Sequence, residues 1–300
     1  MTTGHNPEHA PEHEPEYNQP GERTGLWLWI GAGLLFALLT VPVWRWLWGE
    51  WMHNEYYSHG PLVAGVAAYL AWRRLYLRRQ AGDALPVASD NRGVLLLGVS
   101  LLAYLWFYQD RAYFLSAFAM IGILAGGVWS LGGGGVLRLT AFPLAYLTLM
   151  VPLPVIERAT LPLALWTGLC SGNLAQWLGL DVMIQGAAVT LPNANLVVGA
   201  QCSGINSIMA LTALMILLAY VVKGPLWGKA ILAGMAVPLA LLGNILRVTN
   251  LIVVARFAGV DAAFTFYHDL SGPLFFGIVL VLLFPLTRAV KCSELRLDLL

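Results

Sequence analysis

The sequence predicts an all-α membrane protein, a polytopic bundle of about eight transmembrane helices. Hydrophobic residues make up 58% of the 300 positions and charged residues only 11%, whereas a soluble globular domain carries about 25% charged residues. The apolar residues are grouped in runs close to the ~20 residues that cross a bilayer as a helix. The lipid bilayer is therefore the expected surroundings of the chain. A formal net charge of +1 gives no reason to expect a nucleic-acid partner.

The first element is an expected disordered tail in the cytoplasm, residues 1–24. This segment is rich in Pro, Glu and His and has hardly any apolar side chains, so it cannot bury enough surface to fold. Its histidines, His5, His9 and His13, are interpreted as solvated side chains, because nothing in the tail fixes a metal coordination geometry.

One transmembrane domain is expected over residues 25–291, followed by a cytoplasmic C-terminal tail, residues 292–300. The apolar runs give candidate spans near residues 25–44, 56–72, 93–108, 112–131, 139–153, 203–222, 230–255 and 270–290. The second span has a short apolar part and is the weakest. Lys and Arg are in excess on one side of these spans, above all in the run from Arg73 to Arg79. Because cytoplasmic loops collect basic residues, both termini are expected in the cytoplasm.

The pattern changes between residues 154 and 200, which this topology places outside. Residues 155–180 carry polar side chains among apolar ones, and we expect an amphipathic helix that lies along the membrane interface. After Asp181, short β-branched runs are broken by Gly186 and by the turn-forming cluster 192–195. These runs predict a β-hairpin inserted before the next span.

Three residues that suit acyl-transfer chemistry are expected at this outer face. Cys202 immediately precedes a long apolar helix, and a helix N-terminus favours the thiolate form of a cysteine. Arg247 lies towards the end of the next span, where a cation is costly unless it has a task. His268 opens the last span. A thiol nucleophile, an imidazole that moves protons and a fixed cation are the groups needed for acyl transfer through a thioester.

Each of these residues alone also has an ordinary interpretation. Cys202 could be a small buried residue or a disulfide partner of Cys170, His268 an interfacial histidine and Arg247 a cation that reaches the membrane surface. A transporter or channel that uses Arg247 and His268, or a membrane acyltransferase, are the alternative functions. The cysteines, at positions 170, 202 and 292, lack the close spacing of a zinc site. We expect no metal centre and no cofactor.

Further polar residues are expected close to these three: Asn244, Asn206, His59 and Asp269. The two asparagines lie one helical turn from Arg247 and Cys202, within reach of a hydrogen bond to the site or its loop. Asp269 is preferred as a charge at a helix N-terminus, because adjacent side chains on a helix diverge by about 100°. For His59, a role at the substrate entrance and a role in stabilising its turn are both open.

The motifs around these residues resemble the exosortase/archaeosortase family of membrane cysteine transpeptidases. The resemblance extends from about residue 50 to 285. It rests on the motifs Tyr57-Ser58-His59-Gly60-Pro61-Leu62-Val63, Ala200-Gln201-Cys202-Ser203-Gly204-Ile205 and Asn244-Ile245-Leu246-Arg247, and on His268 followed by Gly272 and Phe276. It implies that Cys202 is the nucleophile, Arg247 the transition-state stabiliser and His268 the general acid/base.

The same resemblance implies the substrate and the location. Exosortases act on membrane-anchored secreted proteins whose C-terminal, PEP-CTERM-like sorting signal consists of a Pro-Glu-Pro-type motif, a hydrophobic helix and a basic tail. The enzyme would cleave this signal through a thioester and transfer the protein to an acceptor nucleophile, on a surface polysaccharide or a lipid. The implied location is the bacterial cytoplasmic (inner) membrane, with the active site on the extracytoplasmic face.

Overall fold

The computed structural model describes residues 20–80, 90–186, 188–192, 194–197, 199, 202–263 and 268–296. Residues 20–29, 194, 195, 197, 268 and 269 are described by their backbone only. The histidines of the predicted N-terminal tail, His5, His9 and His13, lie outside the described residues. The chain divides into two units, Met1–Pro42 and Val43–Leu300.

Helices make up most of the described chain, and the strands are short. The α-helices are α1 Pro20–His53, α2 Gly60–Gln80, α3 Asn91–Gln109, α4 Tyr113–Tyr146, α5 Pro154–Trp177, α6 Ile205–Val221, α7 Leu226–Gly234, α8 Ala236–Ala258 and α9 His268–Ala289, with short 3-10 helices at Glu55–Tyr57 and Leu147–Met150. The strands are β1 Met183–Gln185, β2 Ala188–Leu191, β3 Ala194–Val197, β4 Val222–Lys223 and β5 Glu294–Leu295.

The predicted fold class, an all-α polytopic membrane protein, is confirmed, because the described part of the chain is 83% helical and carries several helices long and apolar enough to span a bilayer. Candidate spans in the described part number 5 by length and composition: Ile30–His53, Asn91–Gln109, Tyr113–Met150, Leu226–Ala258 and Leu270–Ala289. Large apolar side chains on these helices are exposed, among them Leu102 at 70% and Phe284 at 71%. Lipid is the surroundings that such surfaces require.

The long α4 consists of two antiparallel segments joined at a glycine. Gly133 has φ 75° and ψ 176°, a conformation that glycine adopts readily. Trp46 in α1 stacks on Tyr113 at the start of α4, with ring centroids 5.9 Å apart, and Trp51 donates a hydrogen bond of 3.0 Å to the Met150 carbonyl. The start of α4 and the 3-10 helix Leu147–Met150 that follows α4 thus lie beside the same end of α1, whereas a straight helix as long as α4 would extend about 50 Å. The two halves match the fourth and fifth predicted spans.

The helix predicted over residues 155–180 is present as α5, but its faces differ from those of a helix on a membrane surface. The buried face consists of small and hydroxyl-bearing residues, and large apolar side chains such as Leu161 and Trp166 are exposed. Ser171 donates to the Ile245 carbonyl at 3.1 Å, so the inner face packs along α8. Small residues permit such close packing of helices. The position of α5 at the membrane interface stays a prediction.

The predicted β-hairpin is part of a sheet of three antiparallel strands. Strands β2 and β3 form the hairpin, with Thr190 opposite Asn195, and β1 adds a strand through the Gly186 turn. The inner face of the sheet, including Val189 and Leu196, packs in one apolar cluster with the end of α8 and with Cys202. The sheet therefore covers the end of α8 and leads the chain into the cysteine turn.

Described residues of both segments assigned to tails belong to regular elements. Helix α1 begins at Pro20, inside the segment assigned to the N-terminal tail. In the C-terminal tail, β5 pairs with β4, so that Val222 lies opposite Leu295 and Lys223 opposite Glu294. Strands of this length leave no detectable alternation in a sequence.

Candidate functional site

Cys202 lies in a tight turn between β3 and α6. Its N–H donates to the Gly199 carbonyl at 2.9 Å, and Gly204, with φ 78°, forms the N-cap of α6. The cysteine is 5% exposed. A Cβ on Gly204 would lie 2.8 Å from the Asn244 side chain, in a backbone conformation that other residues rarely adopt. The turn can therefore approach α8 this closely only with glycine at position 204.

Asn244 on α8 holds the cysteine turn from the side. Its amide nitrogen, Nδ2, donates to the Cys202 carbonyl at 2.7 Å and to the Thr167 hydroxyl on α5 at 3.3 Å. The residue is 3% exposed, and its Oδ1 has no hydrogen-bond partner among the described residues. Because a buried hydrogen bond is costly to break, Asn244 fixes the backbone that carries the thiol. Asn206, in contrast, has an exposed side chain on α6.

Arg247 follows Asn244 by one turn of α8 and reaches towards α9. Its Nε donates to the Ser271 hydroxyl at 3.0 Å, and Ser271 is 1% exposed. Its charge also acts on the Cys202 thiol. Residues three apart on a helix share a face, so one face of α8 contacts both the cysteine turn and the first turns of α9.

The Cys202 thiol lies in surroundings that disfavour its charged form. Burial raises the pKa of this thiol, and the charge of Arg247 and a hydrogen bond from the Gly199 backbone oppose the rise without cancelling it. The expectation that the helix N-terminus favours thiolate is therefore wrong for the resting site. Loss of hydration outweighs the favourable charges in so enclosed a position, and the thiol needs a base to remove its proton.

His268 is the first residue of α9. The side chains of His268 and Asp269 lie outside the described residues. In the backbone, His268 precedes Ser271 by one helical turn, and Ser271 is the residue that Arg247 contacts. The start of α9 is therefore held to α8 next to the position of the predicted base.

His59 belongs to a different contact set. It stacks on Tyr57, with ring centroids 6.1 Å apart. Trp51 lies in the last turn of α1, directly before the turn that leads to α2. These three side chains, which we call the aromatic clamp, each hydrogen-bond to the backbone of residues 149–153. The partners are Met150 for Trp51, Leu153 for Tyr57 and Leu149 for His59. Of the two interpretations of His59, stabilisation of the turn matches these contacts.

Residues 51–285 match the family model described as Transmembrane exosortase (Exosortase_EpsH). The chain belongs to the exosortase family. The resemblance inferred from the sequence motifs is thereby confirmed. No curated protein and no solved structure matches the chain.

Membership of this family defines the general function. Exosortases are membrane enzymes that process sorting signals, they are generally cysteine-type transpeptidases, and they act on secreted proteins with C-terminal sorting signals. The apolar helices and the family together make this exosortase a multi-pass membrane protein.

Ser271 and Thr167 are contacts of the candidate site that sequence reasoning missed. Ser271 had a detectable signal, since a small polar residue one turn after His268 stands in an otherwise apolar span. Thr167 had none, because only folding brings α5 to Asn244. The disulfide alternative for Cys202 is wrong, since all three cysteines of the chain are unbonded.

A narrow crevice opens between α6, α8 and α9 beside the site. Its polar lining comes from Ser207, Asn244 and Arg247, and its apolar lining includes Phe275 and Phe276. The unpartnered Oδ1 belongs to one of these lining residues. The crevice therefore lies beside the guanidinium of Arg247 and the amide of Asn244, next to the cysteine turn.

Proposed function

We propose that this protein is a cysteine peptidase and transpeptidase that cleaves C-terminal, PEP-CTERM-like sorting signals of membrane-anchored secreted proteins. The observation that carries the proposal is the shared face of α8. Asn244 on this face holds the Cys202 carbonyl, and Arg247 reaches Ser271 one turn from His268. A nucleophile, a fixed cation and the start of the helix with the proposed base are thus held by one rigid element.

In the first half of the reaction, the Cys202 sulfur attacks the scissile carbonyl carbon. The S–C bond forms while His268 accepts the thiol proton, and the carbonyl electrons move to oxygen, where the guanidinium of Arg247 stabilises the negative charge. The C–N bond then breaks, and His268 returns the proton to the leaving amine. The hydrophobic helix and basic tail of the substrate depart, and a thioester remains on Cys202.

In the second half, an acceptor nucleophile attacks the thioester. His268 removes the acceptor proton, the new bond to the carbonyl carbon forms, and the C–S bond breaks, with the proton passing to sulfur. A hydroxyl or amine of a surface polysaccharide or lipid meets this requirement. Since burial raises the pKa of the Cys202 thiol, the resting enzyme holds a neutral thiol, and thiolate forms only when the base acts on it.

The proposed location is the bacterial cytoplasmic membrane, with both termini inside and Cys202 at the outer face. The distribution of basic residues supports it. Arg78 and Arg79 lie in the last turn of α2, and Arg288 in the last turn of α9. These C-terminal ends are opposite to the starts of α2 and α9, where the aromatic clamp and His268 lie. Arginines are in excess at the cytoplasmic face of membrane proteins.

The buried polar residues favour an enzyme over an ion path. In the described part of the chain they are serines, threonines and one asparagine, and no charged side chain is among them. A transporter usually carries ionisable groups within its membrane-embedded core.

The test is tail processing in cells that express the full-length chain with a secreted reporter ending in a Pro-Glu-Pro motif, a hydrophobic helix and a basic tail. We expect Cys202→Ala to abolish release of the tail. Cys170→Ala, which alters another unbonded cysteine, is the matched control and should process normally. A hydroxylamine-sensitive reporter adduct should form on Cys202 in the unsubstituted protein. Continued processing by Cys202→Ala at equal protein levels would overturn the proposal.

A further inference from the structure

A second polar cavity lies at the end of α6 and α9 that is remote from Cys202. Its volume is about 440 Å³. The lining residues are Lys223, Gly224, Arg288, Lys291, Ser293 and Glu294. Three basic side chains face one carboxylate, so the cavity carries a net positive charge. It shares no residue with the cysteine site.

The backbone around this cavity is closely fitted. Lys223 and Glu294 are directly opposite in the β4–β5 pair. A Cβ on Gly224 would collide with the Cys292 sulfur and the Lys291 carbonyl, and Gly224 has φ 156°, so only glycine suits this position. The cavity is therefore formed by a defined contact between two chain segments rather than by a loose tail.

Lys291 occupies a position where glycine or asparagine is usual. Its φ is 59°, and its N–H donates to the Arg288 carbonyl at 3.1 Å in the turn that ends α9. A β-unbranched but bulky cation in the left-handed region is unfavourable in itself, and such positions often mark a function of the side chain. Here the turn brings Lys291 and Arg288 to the same cavity.

The basic residues of the cavity are available to a ligand. Lys223, Arg288 and Lys291 are exposed, and none of them forms an ion pair within the described ranges. Lysine and arginine donors around a cavity match the several acceptor oxygens of a phosphate group. The electrostatics therefore favour a phosphate-bearing anion.

The position of the cavity across the membrane indicates which phosphate-bearing molecule it would meet. Helix α9 leads from His268 to Arg288, and its candidate span Leu270–Ala289 has 20 residues. At 1.5 Å per residue this is about 30 Å, which matches the ~30 Å of a hydrocarbon core. With Cys202 at one membrane surface, the cavity lies at the other. Beside it, Leu226 is 85% and Trp227 50% exposed, and exposed tryptophans are typical of the headgroup region. We propose that the cavity binds the phosphate of an anionic phospholipid headgroup.

The experiment compares lipid binding by the full-length protein in nanodiscs and by native mass spectrometry after extraction. The probes are phosphatidylglycerol, neutral phosphatidylcholine and inorganic phosphate. The site variant is Arg288→Gln/Lys291→Gln. The matched control, Arg79→Gln/Arg138→Gln, removes the same charge from exposed arginines that do not line the cavity.

We expect the unsubstituted protein to retain phosphatidylglycerol in preference to phosphatidylcholine. The site variant should bind it about thirtyfold more weakly, from the loss of two charges near the membrane surface, while the control binds as before. Equal losses in both variants would overturn the proposal, since the effect would then be one of total charge. Binding of inorganic phosphate without retention of phosphatidylglycerol would overturn the lipid source. Retained folding of the site variant is checked by its thermal unfolding.

Discussion

Two turns that carry sequence motifs, residues 51–60 and residues 202–204, are held in opposite ways. In the first, the side chains of the aromatic clamp bond outward to the backbone of residues 149–153. In the second, the backbone of the turn is the part that is held, because Asn244 bonds to the Cys202 carbonyl. The first turn is therefore held through its side chains, whereas the second is held through its backbone.

Glycine does not distinguish these two turns. A Cβ on Gly60 would collide with the Trp51 indole, and a Cβ on Gly204 would meet the Asn244 side chain. Both glycines mark a close approach, which any tightly packed turn requires. The direction of the side-chain hydrogen bonds is the feature that distinguishes the two turns.

Of the substitutions that test the difference between the two turns, Asn244→Ala is expected to have the largest effect, on the rate of reporter processing. Without the 2.7 Å bond to Cys202, the buried carbonyl loses its partner and the turn shifts, and a displacement of about 1 Å in a catalytic group can cost about 100-fold in rate. Reporter processing per folded molecule should fall by that order.

Asn244→Asp, which keeps the shape but removes the donor, should lose as much. Thr167→Val removes only the longer contact of Asn244, at 3.3 Å, and is the matched control, with a rate near that of the unsubstituted protein. If Asn244→Asp processes the reporter at the normal rate, the bond to the cysteine turn has no catalytic role.

A substitution in the aromatic clamp is expected to have the opposite effect: the protein loses stability, while the rate of reporter processing changes little. Tyr57 is 1% exposed, and its hydroxyl accepts a 2.7 Å hydrogen bond from the Leu153 N–H. Tyr57→Phe leaves that N–H unsatisfied, at a cost of about 1–2 kcal/mol in the free energy of unfolding. Thermal unfolding of the purified protein measures it, with Tyr56→Phe, the adjacent half-buried tyrosine, as control.

A large fall in the processing rate of folded Tyr57→Phe, with unchanged stability, would contradict the structural role given to the aromatic clamp. The clamp would then belong to the catalytic site. Equal destabilisation by Tyr56→Phe would show that the Leu153 bond is not what stabilises the turn.

The sequence predicted what depends on apolar length and on local turn residues. The two halves of α4 and the β2–β3 hairpin follow from such patterns, whereas the position of the break at Gly133 is known only from the structure. It could not predict the face of α5 that packs on α8, because small residues are uninformative until the partner helix is known. The same limit applies to the site.

Helix polarity predicts that Cys202, Arg247 and His268 lie at one membrane face, but it cannot predict which side chains of different chain segments contact one another. The Asn244 and Ser271 contacts depend on the packing of α8 against its neighbours. The thiolate prediction was wrong for a related reason. The helix N-terminus can be read from the sequence, whereas the burial of Cys202 depends on the whole fold.

A smaller effect is expected from Arg247→Gln on the reactivity of the Cys202 thiol. The charge of Arg247 lowers the pKa of this thiol against the larger effect of burial. Its removal should raise the pKa further, so that alkylation at slightly alkaline pH slows several-fold and the pH profile moves upward, as expected when a neighbouring charge is worth about one pKa unit.

Ser271→Ala is the control for this measurement. It removes the 3.0 Å contact of Arg247 but keeps the positive charge, so the pH profile of alkylation should stay in place. A profile that shifts equally in both variants would assign the effect to displaced structure rather than to charge.

The smallest effect is expected from the titration of His59. Burial lowers the pKa of its imidazole, and the hydrogen bond to the Leu149 backbone only partly opposes this. With the folded pKa below the unfolded value of 6.5, the unfolded chain binds more protons between these two values. The contribution of His59 to stability is therefore complete above pH 6.5 and is lost as the pH falls through the folded pKa.

His59→Gln should remove this part of the pH dependence. Hydrogen exchange of the amides of residues 149–153, compared on either side of the unfolded pKa, is the measurement, because local opening of this segment reports the clamp directly. The unsubstituted protein should lose protection on acidification, and the variant should be weaker throughout but less sensitive to pH. If the amide protection of residues 149–153 still falls on acidification in His59→Gln, another group titrates. The His59 imidazole would then not be one of the side chains that stabilise this turn.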